Sequence, residues 1–170
     1  MSITSSPVTQ EVTAQPDLRH VDAVTLLPGR TALLGRLLER TATVDDSPAA
    51  LVLIGLLRRD TGWPLPGRSL DRIASALSAD LRGTDWLAWS GPTEFAVLLD
   101  GPAHDAETAA HRLVHTVAGA GVEGVTACVG ISGLAADASP DEVHRRATYC
   151  LTAARSLGAG RVVRYSGARS

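Results

Sequence analysis

Residues 49–57, AALVLIGLL, form a run with no polar or charged side chain. A strand that is wet on one face alternates polar and apolar residues. A strand-length run that is apolar at every position is buried on both faces, as at the centre of a sheet covered on each side by helices. The rest of the chain must therefore supply amphipathic helices for two layers, and its periodicity does so.

Within Asp22–Arg40, Leu33, Leu34, Leu37 and Leu38 fall on one helical face, with Pro28 near the start, where a missing N–H costs nothing. Asp45–Pro48 reads as a loop, and so does Arg58–Gly67, which is dense in turn residues. From Ser69 the helical pattern returns through Leu70, Ile73, Ala74, Leu77 and Leu81. Leu81–Asp100 then reads as a helix end and two strands joined at a Gly91-Pro92 turn. Ala106, Ala109, Ala110, Leu113, Val114 and Val117 predict another helix, closing near Gly119 and Gly121. Val125–Leu134 is a strand. Ser139-Pro140-Asp141-Glu142 is a helix start, and that helix carries Val143, Ala147, Cys150, Leu151 and Ala154 on one face and stops at Gly158. Arg161–Tyr165 closes the pattern as a strand. The order predicts one α/β domain: a central mixed five-stranded sheet containing an antiparallel hairpin, flanked by helices.

The predicted domain spans residues 18–166. Residues 1–17 are rich in Ser, Thr, Pro and Gln and predict a flexible tail, and residues 167–170 a frayed end. The net charge of −2 gives no global attraction to nucleic acid or to an anionic membrane, although a local basic patch stays open. Cys128 and Cys150 stand in apolar surroundings and read as small buried thiols. His111 and His115 are four apart on a predicted helix but lack a third ligand, so no metal site is expected. No apolar run is long enough to span a bilayer and no secretory signal pattern opens the chain, which predicts a cytoplasmic protein.

Four stretches, in order, resemble the GGDEF (diguanylate cyclase) family, whose fold is nucleotidyl-cyclase or palm-like. Asp22-Ala23-Val24-Thr25-Leu26-Leu27-Pro28-Gly29-Arg30 resembles the family's entry motif D-x-L-T-G-L-P-N-R. Gly91-Pro92-Thr93-Glu94-Phe95 stands in place of the GGDEF signature. The stretch containing Cys128 resembles the strand T-V-S-I-G-I-A, and Ala147–Arg155 followed by Gly158 and Arg161 resembles the closing helix and strand. The resemblance implies a fold that condenses two GTP molecules into cyclic di-GMP with divalent metal ions held by carboxylates.

The residues that this chemistry needs are missing. The family's first-strand acid belongs to an I-D-I-D-x-F run, matched here by Ile54-Gly55-Leu56-Leu57; the signature acid is replaced by Thr93, and Pro92 replaces a glycine. The loop after the first strand lacks the guanine-reading Asn and Asp, and Asp60 reads as a solvated loop acid. Glu94 remains, but one carboxylate does not hold two metals. The resemblance places Arg155 at a phosphate-contacting lysine and Arg30 in the entry motif. Both are candidates for phosphate contact, with surface charge or a helix-end interaction as the alternative.

A second feature is retained. The family's product-inhibition motif R-x-x-D, five residues before the signature, is matched by Arg82-Gly83-Thr84-Asp85, and Arg112 stands where a second arginine completes that site. Arginine forks suit phosphate oxygens or the O6/N7 edge of guanine, and a carboxylate can accept from guanine N1–H. Alternatively, Arg82 and Asp85 form a local ion pair at a helix end. The expected function is thus a catalytically inactive regulatory domain that binds cyclic di-GMP through Arg82, Asp85 and Arg112, with ligand-linked homodimerisation. The alternatives are a protein–protein interaction module using the hairpin face, signalled by Trp63 and Trp89, and GTP binding without turnover.

Overall fold

The apolar run lies in β1 (Ala49–Arg58), the central strand of the sheet. The structure is a computed structural model and describes residues 25–60 and 63–167. The remaining elements are α1 (Arg30–Thr41), α2 (Gly67–Asp80), β2 (Trp86–Gly91), β3 (Glu94–Asp100), α3 (Ala103–Gly119), β4 (Val125–Gly133), α4 (Pro140–Leu157) and β5 (Val162–Arg164). The sheet order is β2-β3-β1-β4-β5, with every pair antiparallel except β4–β5. This is the mixed five-stranded sheet with an internal hairpin that the periodicity predicts.

Strand parity divides the core in two. Val52, Ile54, Phe95 and Val97 face one way and pack with Ile73 and Leu77 of α2 and Leu113 and Val117 of α3. Leu51, Leu53, Ala96 and Leu98 face the other way and pack with Leu33 and Leu37 of α1 and Val143, Ala147 and Leu151 of α4. Both faces of β1 are covered, as an uninterrupted apolar strand requires.

Helix α4 lies closest to the sheet. A Cβ added at Gly130 would sit 2.3 Å from both the Ala147 carbonyl oxygen and the Leu151 nitrogen, so the helix backbone rests directly on β4 at this point. The start of α4 is capped as expected, with the Glu142 N–H donating to Ser139 Oγ at 3.2 Å. The Glu142 carboxylate is taken by Arg145 and Arg146. Gly158 ends the helix at φ +106°, with its N–H donating to the Ala154 and Arg155 carbonyls.

Pro28 lies near the start of α1, as expected, one residue before the cap residue Gly29, and its carbonyl accepts the Trp89 N–H at 2.7 Å, tying this segment to the edge strand β2. Two expectations are corrected. Helix α2 ends at Asp80, and Leu81 is extended, because the chain there turns into the hairpin. The hairpin turn is Pro92-Thr93, with Gly91 already paired to Glu94. The expected tail over residues 1–17, Asp22 of the entry motif and the final residues 168–170 lie outside the described residues.

Candidate functional site

The hairpin turn reaches the sheet beside the C-terminal end of β1, where Gly55 is the register partner of Glu94. Both point to the α4 side by parity. There Arg155, in the last turn of α4, donates from Nη2 to Glu94 Oε2 at 3.3 Å. A Cβ added at Gly55 would lie 2.8 Å from Arg155 Nη2 and 2.9 Å from Leu151 Cδ1. The guanidinium thus occupies the space that any side chain at position 55 would need. Cys128 closes the group, with its Sγ 3.8 Å from the Gly55 carbonyl oxygen. Burial pushes its thiol up from the ordinary value, with Arg155 opposing and Glu94 adding to the rise.

This arrangement does not fit divalent metal ions. Position 55 carries no carboxylate, Thr93 carries none, and Glu94 already has a cationic partner in Arg155. Among the described residues, no group of three or more His, Cys, Asp or Glu side chains could hold a metal. The hydrogen bonds that position the turn are sound: the Leu56 N–H donates to the Thr93 carbonyl at 2.8 Å.

On the same side, the buried Ser90 Oγ lies 3.2 Å from His144 Nε2 of α4. Burial lowers the affinity of His144 for a proton, Arg30 acts in the same direction, and Glu94 and Asp141 oppose it. Arg30, the first residue of α1, is exposed and so acts on this histidine from the surface.

The retained R-x-x-D stretch lies on the other side, between α2 and β2. Arg82 and Asp85, together with Arg112 of α3, line one cleft of about 250 Å³. Its rim includes Asp100 and Asp105. The Asp85 carboxylate accepts the Arg82 backbone N–H at 2.9 Å, and the Asp85 N–H donates to the Arg82 carbonyl at 3.0 Å. The local alternative therefore takes the form of a carboxylate closing a backbone turn. Among the described residues the Arg82 side chain has no ion-pair partner, and it is exposed. Arg112 is oriented by Asp80, with its Nε 3.0 Å from Oδ1, while Thr116 donates to the same carboxylate at 2.8 Å. Asp100 is paired with Arg40, and Asp105 lies 3.1 Å from His104.

Trp89 is half-buried, edge-on to Phe95 with ring centroids 4.7 Å apart, so it belongs to the α2/α3 core. Trp63 is 38% exposed. Cys128 and Cys150 are free and buried, as expected, and burial raises both thiols. Asp60 is paired with Arg58. Sequence reasoning missed Asp80, whose link to Arg112 crosses 32 positions, and missed the Glu94–Arg155 pair across 61. A glycine inside an otherwise bulky strand was the available signal for the second, because it marks a close approach.

No family model matches the sequence, and no curated protein matches it. Solved structures do. The GGDEF domain of DgcB from Caulobacter crescentus, in complex with c-di-GMP, superposes with a TM-score of 0.75 at 19% identity over 87% of this chain and 96% of that one. The diguanylate cyclase SiaD from Pseudomonas aeruginosa, in complex with its activator SiaC, gives 0.72 at 26% identity over 86% of this chain; this chain spans 62% of SiaD's. The FimX GGDEF domain, also from Pseudomonas aeruginosa, gives 0.71 at 24% identity over 84% and 98%. The chain therefore has the α/β fold of GGDEF domains. No helix of the described residues is long and apolar enough to cross a membrane.

Proposed function

We propose that this domain is a non-catalytic, GGDEF-like receptor for cyclic di-GMP. One observation carries the ligand: Arg82 and Asp85 from the α2–β2 turn and Arg112 from α3 converge on one cleft. Arg82 is exposed and the Arg112 fork is already oriented, an arrangement suited to guanine O6/N7 or to phosphate oxygens. The cleft lies below the ~300 Å³ at which ligand pockets usually begin, so it suits one base rather than a whole dinucleotide. The second guanine of a symmetric ligand would then engage a second copy of the chain, giving a ligand-linked homodimer. Loss of catalysis is supported by the absence of acids at positions 55 and 93 and by the guanidinium lodged over Gly55.

Calorimetric titration of cyclic di-GMP into the protein tests this reading, alongside Arg82→Ala and Arg112→Ala. The expected result is saturable binding that weakens at least tenfold in each variant, with no dinucleotide formed from GTP and Mg²⁺. Absence of heat and of thermal stabilisation at high ligand concentration would refute the receptor. A second reading, a protein-interaction module, is favoured by Leu38 of α1 and by Tyr149 and Leu157 of α4, all more than 60% exposed on the α1/α4 side. Of the two tryptophans, Trp89 does not support it, because it is built into the core, whereas Trp63 is exposed.

A further inference from the structure

Helix α3 carries His104, His111 and His115, and all of them are exposed. His111 and His115 are one turn apart, so they share a face and their Cβ atoms stand about 5–6 Å from each other. That spacing lets two imidazoles meet at a single ion, which needs a ring nitrogen of each about 2.0–2.1 Å away. His104 lies about two turns before His111 on the same helix, too far to join them, and its Nε2 is 3.1 Å from Asp105 Oδ1.

The pair is partly organised already. His115 Nδ1 lies 2.7 Å from the His111 carbonyl oxygen. A carbonyl can only accept, so Nδ1 carries the ring proton and the Nε2 lone pair is left for a ligand. Histidines that hold metals are oriented in the same way, by giving their other N–H to a backbone carbonyl or a carboxylate. Among the described residues the His111 ring makes no hydrogen bond or ion pair, so neither of its nitrogens is committed. Arg112, which stands between the two in sequence, is drawn off to Asp80 of α2, and this takes a repelling charge away from them. Glu107, one turn before His111, is held by Arg164 of β5, so the pair has no carboxylate as a third ligand.

We propose that His111 and His115 form a surface chelate for a borderline divalent transition-metal ion of the nickel, copper or zinc type, with water in its open positions. Imidazole nitrogen suits these ions, whereas magnesium and calcium call for oxygen ligands. Two rings on one turn of helix make capture by the second an intramolecular step, so together they bind far more tightly than either alone. The chelate does not rest on the cyclic di-GMP reading, because neither histidine lines the Arg82 cleft.

The test is calorimetric titration of nickel(II) chloride, with magnesium chloride as the oxygen-seeking control. Each is titrated into the full chain carrying no affinity tag and into His111→Gln, His115→Gln and His104→Gln. The altered side chains are all exposed, so melting temperatures without metal are expected to match the wild type. The expected result is saturable nickel binding at one ion per chain, no magnesium binding, and a melting temperature that rises with nickel concentration. The nickel affinity falls at least tenfold in His111→Gln and in His115→Gln and stays within twofold of wild type in His104→Gln. No saturable nickel binding, or undiminished binding in either variant of the pair, would overturn the chelate. An equal loss in His104→Gln would overturn its assignment to this pair. One ion per two chains would overturn the open positions, because a second copy would then complete the coordination.

Discussion

Adding a methyl group at Gly55 should be far more costly with Arg155 present than without it. In the wild-type chain the new Cβ meets Arg155 Nη2 at 2.8 Å and Leu151 Cδ1 at 2.9 Å. The guanidinium must move, and in moving it loses Glu94 at 3.3 Å. At an effective dielectric of 20 that attraction is about 5 kcal/mol before desolvation. The two side chains keep 33% and 20% of their exposure, and desolvation and screening reduce the net value to roughly 1–2 kcal/mol. Crowding in a packed interior adds about 1–3 kcal/mol. Gly55→Ala alone should therefore destabilise by about 2–5 kcal/mol. With Arg155→Ala in place, only the flexible end of Leu151 obstructs, and the cost should fall to about 1 kcal/mol. The coupling between the two substitutions is then roughly 1–4 kcal/mol, overlapping the range for side chains in contact. Urea denaturation of the wild type, both single variants and the double variant measures it. Additivity to within about 0.3 kcal/mol would refute the reasoning, because it would mean that the guanidinium does not occupy the space beside Gly55.

Gly130→Ala should be more damaging, since its Cβ would meet backbone atoms of α4 at 2.3 Å and no side chain can swing away; loss of about 3 kcal/mol or more, or failure to fold, is expected in urea titrations. Ser139→Ala removes the cap on the Glu142 N–H and should cost about 1 kcal/mol, read as a lowered urea midpoint with unchanged slope. His144 holds a proton less readily in the folded chain, so the unfolded chain binds more protons as the pH falls. Stability is unaffected by this group above about pH 6.5 and is lost as the pH drops below it. The melting temperature of the wild type should therefore fall more between pH 7.5 and 5.5 than that of His144→Gln. Parallel falls would show that His144 does not account for the effect.

The elements visible in the sequence are those specified by local pattern. β1 is recognisable because it is apolar at every position, and the faces of α2, α3 and α4 follow from spacing that places Ile73, Leu113 and Ala147 in the core. The cap at Ser139 works because its hydroxyl reaches an N–H only three residues away. What was hidden depends on groups that meet only after the sheet assembles. Gly55 reads from sequence as a missing acid. In three dimensions it is the space that admits Arg155 from a helix a hundred residues later. Trp89 reads as core or rim packing, or as a surface anchor if exposed, and strand parity decides between them by putting it beside Phe95 in the core. Pro28 is legible as a residue near a helix start, but the bond its carbonyl accepts from the sheet edge is not, because no local rule supplies the position of that edge.

Strand parity also keeps the Gly55–Arg155 contact and the Arg82 cleft on opposite faces of the sheet. Gly55 and Glu94 point to the α4 side, and their contacts with Arg155 are made there. The Arg82 cleft draws on Leu99 and on α3 residues from Asp105 to Arg112, across the sheet from Arg155. A rigid, close-packed strand layer separates the two, and no hydrogen bond or ion pair among the described residues links Arg155 or Glu94 to Arg82, Asp85 or Arg112. Substitutions on such separated sites add. Arg155→Ala should therefore lower stability while leaving the affinity for cyclic di-GMP within about twofold of wild type, a free-energy change inside the ~0.5 kcal/mol tolerance for independent sites. A tenfold loss of affinity in that variant would mean that the two faces are coupled through the sheet, and that the guanidinium over Gly55 supports the cleft.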